Sequence, residues 1–226
     1  MADAVPMADA VPLSRRLIAE ALGTALLVTL GTGCVMTNVI SQGALGLTGI
    51  ALTWGFLVTV LVAALGGVSG AHINPAVTVA LAVSRRIAPG EALAYVVAQC
   101  VGATFGSLVL LATLGNVSNL GATIPTVTVG AALTIEFLMS FVLMATVIGS
   151  TSDERWGGGG AAIAIGMAVA LDVLMGGPLT GASMNPARSL GPALIGGRWD
   201  SHWIYWVAPI GGMSSAALVL RWLRGR

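Results

Sequence analysis

Six apolar stretches, each near the length that crosses a bilayer, leave this chain almost no residues for anything else. They run from Leu17 to Ile40, Leu45 to Leu65, Ala92 to Leu114, Val129 to Gly149, Ala161 to Met175 and Trp203 to Leu223. A helix of about 20 residues crosses the roughly 30 Å of hydrocarbon in a membrane. Six such spans joined by short loops use up nearly all 226 residues, so no separate catalytic domain is expected. Charge agrees, because 8% of the residues are charged where a soluble domain carries roughly a quarter. The mean hydropathy is +0.93. The 31 glycines follow no Gly-X-Y period and sit inside apolar runs, which excludes a collagen-like or flexible-linker reading.

The expected fold class is therefore an all-α membrane protein. Two further apolar segments, Asn74 to Val83 and Asn185 to Ile195, are too short to cross. Orientation follows from arginine, since basic loops stay in the cytoplasm. Arg15, Arg16, Arg85, Arg86, Arg155, Arg221, Arg224 and Arg226 fall on one side of a six-span chain, so both termini are expected to be cytoplasmic. The first twelve residues are a direct duplication, Met1 to Pro6 and Met7 to Pro12, read as a disordered tail. A net charge of +1 with no concentrated basic face argues against a nucleic-acid partner. Cys34 and Cys100 lie in apolar runs and read as buried free thiols.

The chain also repeats itself. Gly70-Ala71-His72-Ile73-Asn74-Pro75-Ala76 is echoed 111 residues later by Gly181-Ala182-Ser183-Met184-Asn185-Pro186-Ala187, and Glu20 is answered by Glu136. Repeat one covers about 13–114 and repeat two about 129–226, within one domain spanning 13–226. Three spans per repeat invert the second copy in the membrane, and inverted repeats place a functional site between them at the midplane.

Asn before Pro starts a helix: the amide caps free backbone N–H groups, and Pro fits the first turn. Each short segment thus reads as a re-entrant half-helix. If the two N-termini meet, each presents about half a positive charge, which opposes cations. The amides of Asn74 and Asn185 can donate to one passing oxygen and leave it poorly placed to relay a proton. The stretches before each cap, Ser69 to Ile73 and Thr180 to Met184, are small and irregular, and their residues Gly70, Ala71, His72, Ile73, Gly181, Ala182, Ser183 and Met184 read as backbone lining a water-filled path. Arg188, three residues after Asn185, is expected to project into that path, the alternative being an arginine that snorkels to the headgroups.

Asn74-Pro75-Ala76, Asn185-Pro186-Ala187-Arg188-Ser189, Glu20, Glu136 and the six-span spacing together resemble the aquaporin, or major intrinsic protein, family. The resemblance covers essentially all of the chain after Pro12. It implies six transmembrane helices with two re-entrant half-helices, a homotetramer with one pore per protomer, and passage of water or small neutral solutes. It also implies an outer selectivity filter at Trp54, Val173, Ala182 and Arg188. Water-selective members carry histidine where this chain has Val173, and the set Trp, Val, Ala, Arg is similar to that of plant nodulin-like intrinsic proteins, which the family associates with water, glycerol, ammonia and metalloid acids. Ser189 in place of Asp, and the pair Tyr205-Trp206, resemble water channels instead.

Several residues keep two readings. Glu20 and Glu136 are expected to hold the loops by accepting backbone N–H bonds, with a proton relay as the alternative. His72 can line the inner pore or act as a pH gate. Asp172 is read as a buried polar tie or as a solute contact, and Gly102 and Gly106 as a close helix crossing mirrored by Gly211 and Gly212. No nucleophile with base and orienter, metal cluster or cofactor motif appears, so no enzyme activity and no cofactor are expected. The expected location is a bacterial inner membrane. A passive channel leads; a solute-preferring metalloid or glycerol channel, an inverted-repeat secondary transporter and a blocked scaffold are its rivals.

Overall fold

A computed structural model of the chain describes residues 11–157 and 159–225. Most of the duplicated segment, Gly158 and Arg226 lie outside the described residues. Eight helices carry the fold: α1 (Leu13–Ile40), α2 (Gly46–Ser69), α3 (Pro75–Val83), α4 (Pro89–Leu114), α5 (Val129–Thr151), α6 (Gly160–Thr180), α7 (Pro186–Gly196) and α8 (Ile204–Leu223). Six of them are long and apolar enough to cross a membrane, and α3 and α7 are the two half-helices expected from the sequence. The chain is a multi-pass, all-α membrane protein.

Five of the six spans outrun the apolar stretches that marked them, α2 by four residues to Ser69 and α5 by two to Thr151. Helices α1 and α4 begin at Leu13 and Pro89 because Arg16 of α1 pairs with Glu91 of α4, letting both continue past the apolar zone. Helix α6 continues through Pro178 to Thr180, five residues beyond Met175. The loop after α4 also holds a device with no apolar signature: Ser118, Asn119, Leu120 and Gly121 are four consecutive left-handed residues. Leu120 is fully buried there, in a small cluster with Met36 and Leu110.

Helix packing maps onto itself when the halves are exchanged. Helix α1 packs on α4 as α5 packs on α8, α1 meets α2 as α5 meets α6, and α2 crosses α6 between the halves. The half-helices cross over, α3 onto α8 and α7 onto α4. Glycine permits the close crossings. A β-carbon on Gly102 or Gly106 would overlap the carbonyl oxygen of Ala21 or Ala25, and one on Gly212 would overlap that of Phe137. Gly211 is not part of the crossing, since a β-carbon there would touch only the Phe137 ring at 3.5 Å. The outer surface carries exposed Ile18, Phe56, Leu93, Phe105 and Met167, as a lipid-facing surface should. Cys34 and Cys100 are both free, Cys34 buried and Cys100 only half-buried.

Where α2 crosses α6, Gly55 and Gly166 face each other, and a β-carbon on Gly166 would run into the Gly55 carbonyl and the Thr59 hydroxyl. Gly166→Ala is therefore expected to destabilise the fold by about 1–3 kcal/mol, the usual cost of overpacking. Gly66→Ala, in open space on α2, should be neutral or slightly stabilising through helix propensity. Thermal unfolding of the two variants in detergent measures the contrast, and equal midpoints would refute the crossing.

Candidate functional site

Both re-entrant loops are built from backbone that their residues do not readily adopt. Gly70 (φ +85°) ends α2 and Gly181 (φ +84°) ends α6, each in the left-handed region where glycine is at ease. Ala71, Ile73, Ala182 and Met184 are then also left-handed, with φ of +48°, +41°, +42° and +51°. Each such residue costs about 1–3 kcal/mol and persists only where its surroundings over-determine it.

Buried carboxylates supply that determination. Glu20, fully buried in α1, accepts from the Ser69 hydroxyl (2.6 Å), the His72 N–H (3.0 Å) and the Ile73 N–H (2.6 Å). Glu136, fully buried in α5, accepts from the Thr180 hydroxyl (2.6 Å), the Ser183 N–H (2.9 Å) and the Met184 N–H (2.8 Å). Tyr95 and Tyr205 complete the match by donating their hydroxyls to the Ser69 and Thr180 carbonyls. Gln99 breaks the symmetry. It donates to Glu20 at 2.7 Å and to Thr78 at 3.0 Å, and the corresponding place in α8 is Pro209.

With their N–H groups turned toward the carboxylates, the loops end at Asn74 and Asn185, which cap α3 and α7. The Asn74 amide oxygen accepts from the Ala76 N–H, and the Asn185 oxygen from those of Ala187 and Arg188. Pro75 and Pro186 occupy the first helical turns, and Ala76 and Ala187 are fully buried. The two half-helix N-termini meet. Asn74 Nδ2 donates to the Met184 carbonyl and Asn185 Nδ2 to the Ile73 carbonyl, each at 2.9 Å. This pair of bonds was not legible in the motif. It leaves each amide one N–H for a passing oxygen, half of what the sequence reading allowed.

Arg188 is buried at 3% exposure beside Trp54, its guanidinium carbon 5.1 Å from the indole centroid. Nη1 donates to the Gly121 carbonyl at 2.9 Å, while Nε is buried without a protein partner. The left-handed turn thus aims a carbonyl that orients the arginine, and the snorkelling alternative fails for this rotamer. Gly31 makes room for Trp54, since a β-carbon there would overlap the indole ring. Trp54, Val173, Ala182 and Met184 share one apolar cluster with Ile73 and Ala76. Ser189 bonds the hydroxyls of Thr123 (2.7 Å) and Ser183 (2.6 Å), tying the loop before α5 to the second re-entrant loop. His72 Nδ1 lies 3.1 Å from Thr78 Oγ1, and its ring is tilted against Tyr95.

Sequence reasoning missed Gly121, Thr123, Gln99 and the hydroxyl roles of Ser69, Thr180, Tyr95 and Tyr205. A usable signal existed for the last four: Ser69 and Thr180 are 111 residues apart and the two tyrosines 110, close to the spacing of the Asn-Pro-Ala boxes. Asp172 is buried, and its Oδ2 makes no hydrogen bond within the protein.

The loop before α8 holds a titratable contact outside the spans. Trp206 Nε1 donates to His202 Nε2 at 3.1 Å; an indole N–H can only donate, so Nε2 must be unprotonated. Burial holds His202 below its ordinary value of 6.5, and the ring also faces Trp199, Tyr205 and the loop that carries the Arg198–Asp200 ion pair. The unfolded chain therefore takes up the proton first, and stability is lost as pH falls below 6.5 toward the lower folded value. Wild-type protein is expected to melt earlier at pH 5 than at pH 8, and His202→Gln, which keeps an acceptor without a titration, should show a smaller difference. Identical pH profiles would refute the contact's role.

The Major intrinsic protein family model matches residues 7–220. Nodulin-26 of Glycine max is 43% identical over 215 residues, covering 95% of this chain and 79% of its own length. Aquaporin NIP1-1 of Oryza sativa subsp. japonica is 42% identical over 212 residues, covering 93% and 75%. Among solved structures, the aquaglyceroporin from Plasmodium falciparum superposes with a TM-score of 0.82 at 25% identity, covering 92% of this chain and 95% of that one. Relatives this similar along more than nine-tenths of the sequence, and a family match reaching from Met7 to Leu220, mean that the chain belongs to the major intrinsic protein family.

Proposed function

We propose that the protein is a passive transmembrane channel for water and small uncharged solutes such as glycerol, ammonia or neutral metalloid acids, and that it excludes protons and ions. The observation that carries this reading is the reciprocal bond pair by which Asn74 and Asn185 hold two half-helix N-termini together. Such a junction presents N–H donors and positive dipole ends to whatever passes, which suits a neutral oxygen and repels a cation. Asn74, Pro75, Ala76, Asn185, Pro186 and Ala187 form this junction. Trp54, Val173, Ala182 and Arg188 act as the outer filter, and Gly70, Ala71, His72, Ile73, Gly181, Ser183 and Met184 line the path. Glu20 and Glu136 serve as loop supports, their oxygens being occupied by the loops they hold. Residues 13–226 act as one channel domain.

The protomer assembles as a homotetramer with both termini in the cytoplasm, and it performs no catalysis. The two sequence relatives named above are plant proteins and lend no support to the bacterial inner membrane expected from sequence. Solute range is the finer question. The solved relative is titled an aquaglyceroporin, which favours polyol passage, and Val173 supplies neither the bulk nor the donor of an imidazole.

Stopped-flow permeability of proteoliposomes to water, glycerol, ammonia and boric acid tests the proposal. Low-activation-energy flux without a proton or sodium gradient is expected; gradient-dependent uptake saturating at micromolar solute would instead favour the secondary transporter. Val173→His should lower glycerol passage several-fold more than water passage. Equal loss of both at matched protein would refute the filter assignment.

A further inference from the structure

Arginines from both repeats converge on the end of α5. Arg86, just past α3, donates Nη2 to the Ser152 hydroxyl at 3.2 Å, and Arg224, just past α8, donates Nη2 to the Gly149 carbonyl at 3.1 Å. Both of these bonds go to neutral acceptors. Gly149 and Ser152 are three residues apart, about one helical turn, so the two guanidinium groups sit on the same helix end. Arg85 and Arg221 accompany them, and Arg155 follows α5 itself, where it pairs with Asp153. The acidic residues in these segments are Asp153 and Glu154, two against five arginines.

Arg85 sits where the backbone asks for glycine. Helix α3 ends in a left-handed turn: the Arg86 N–H reaches back to the Leu81 carbonyl at 2.8 Å, the Arg85 N–H to that of Ala82 at 3.0 Å, and Arg85 has φ +63°. Glycine takes this conformation without strain, and a residue with a β-carbon does not. The side chain returns nothing to the fold, because Arg85 is exposed and, among the described residues, makes no ion pair or side-chain hydrogen bond. It lines instead, with Arg86, an open concavity of about 360 Å³ between α3 and α4, walled by Ala82, Ile87, Ala88 and Pro89. Membrane topology calls for a basic residue in this loop, and Arg86 already supplies one. It does not call for a second at a strained position.

We infer that this arginine-rich rim is a binding surface for the phosphate headgroup of an anionic membrane lipid. The inference concerns the membrane around the protein and stands whichever solute passes through it. Charge specifies an anion, and position specifies a lipid. The arginines lie at helix ends on the face that their own distribution assigns to the cytoplasm, and the cytoplasmic leaflet carries anionic lipids. Apolar surface continues from the same turn: Trp222 and Leu223, between Arg221 and Arg224, are 77% and 63% exposed. A lipid uses both parts, its phosphate on guanidinium groups and its acyl chains against the apolar residues. A free anion uses the charges alone.

The test is thermal unfolding in a neutral detergent with added phosphatidylglycerol, phosphatidylcholine or inorganic phosphate, for wild type, Arg85→Gly and Arg85→Gly/Arg86→Gln. Glycine fits the left-handed turn and glutamine keeps a donor for Ser152, so without lipid both variants are expected to melt at or above the wild-type midpoint. Phosphatidylglycerol should raise the wild-type midpoint by several degrees, and by less at high salt. That shift should fall by about half in Arg85→Gly and further in the double variant, as expected for charges acting additively on a headgroup. Phosphatidylcholine and inorganic phosphate should leave the midpoint nearly unchanged. Equal shifts from both lipids, or a full shift in the double variant, overturn the inference. An equal shift from inorganic phosphate overturns the lipid and assigns the rim to a free anion. A variant that melts well below wild type without lipid also overturns it, because Arg85 would then be serving the fold.

Discussion

Replacing Glu136 with leucine is expected to abolish flux and to leave little folded protein. The change strands three buried donors together, the Thr180 hydroxyl and the N–H groups of Ser183 and Met184, at roughly 1–3 kcal/mol each. It also releases the constraint that keeps Ala182 and Met184 left-handed. A loop so freed can relax toward ordinary backbone, and the Met184 carbonyl then turns away from the Asn74 amide that bonds it. Damage therefore spreads to the first repeat. Glu136→Gln separates the steps: its amide oxygen still accepts from Ser183 or Thr180, but its NH2 group opposes the Met184 N–H. An intermediate melting temperature with strongly reduced water flux is expected for Gln and failure to fold for Leu, measured by size-exclusion chromatography and stopped-flow scattering. Wild-type flux through Glu136→Leu would refute the support role. Glu20→Leu should be at least as severe, since it also strands the Gln99 amide.

How much of this was legible in the sequence depends on whether a residue acts through local rules or through a neighbour far along the chain. The six spans, the two half-helices and the Asn caps follow from hydropathy and from Asn-Pro, which specify structure within a few residues. Glu20 and Glu136 stood out because a carboxylate inside an apolar span demands a partner. That each would meet a hydroxyl and two consecutive loop N–H groups required the fold. Gly121 was hidden for a different reason. Its contribution is a backbone carbonyl aimed by four left-handed residues, and neither Ser118 nor Leu120 advertises that conformation. Gln99 was hidden because it departs from the repeat, and comparing the halves shows only what they share.

Arg188→Val is expected to turn a solute channel into one that leaks cations and protons. Arg188 contributes a full charge at the proposed filter, whereas each half-helix end contributes about half a charge, shared with the opposite loop through the Asn amides. A unit charge acting on a passing cation at about 4 Å and an effective dielectric of 20 is worth roughly 4 kcal/mol. Allowing for screening by water in the path, a rise in cation conductance of about one to two orders of magnitude is expected. Valine also gives up the guanidinium that lies against Trp54 and leaves the Gly121 carbonyl without its donor, which adds an acceptor where cations pass. Arg188→Lys should fall between, because an ammonium keeps the charge but not the fixed fork that bonds Gly121 while presenting Nε. Proton entry into dye-loaded proteoliposomes under a potassium diffusion potential measures the leak, with water flux as the control for folded protein. A current no greater than wild type in Arg188→Val would assign cation exclusion to the two half-helix ends alone, and would leave the arginine the narrower task of ordering solute oxygens against Trp54.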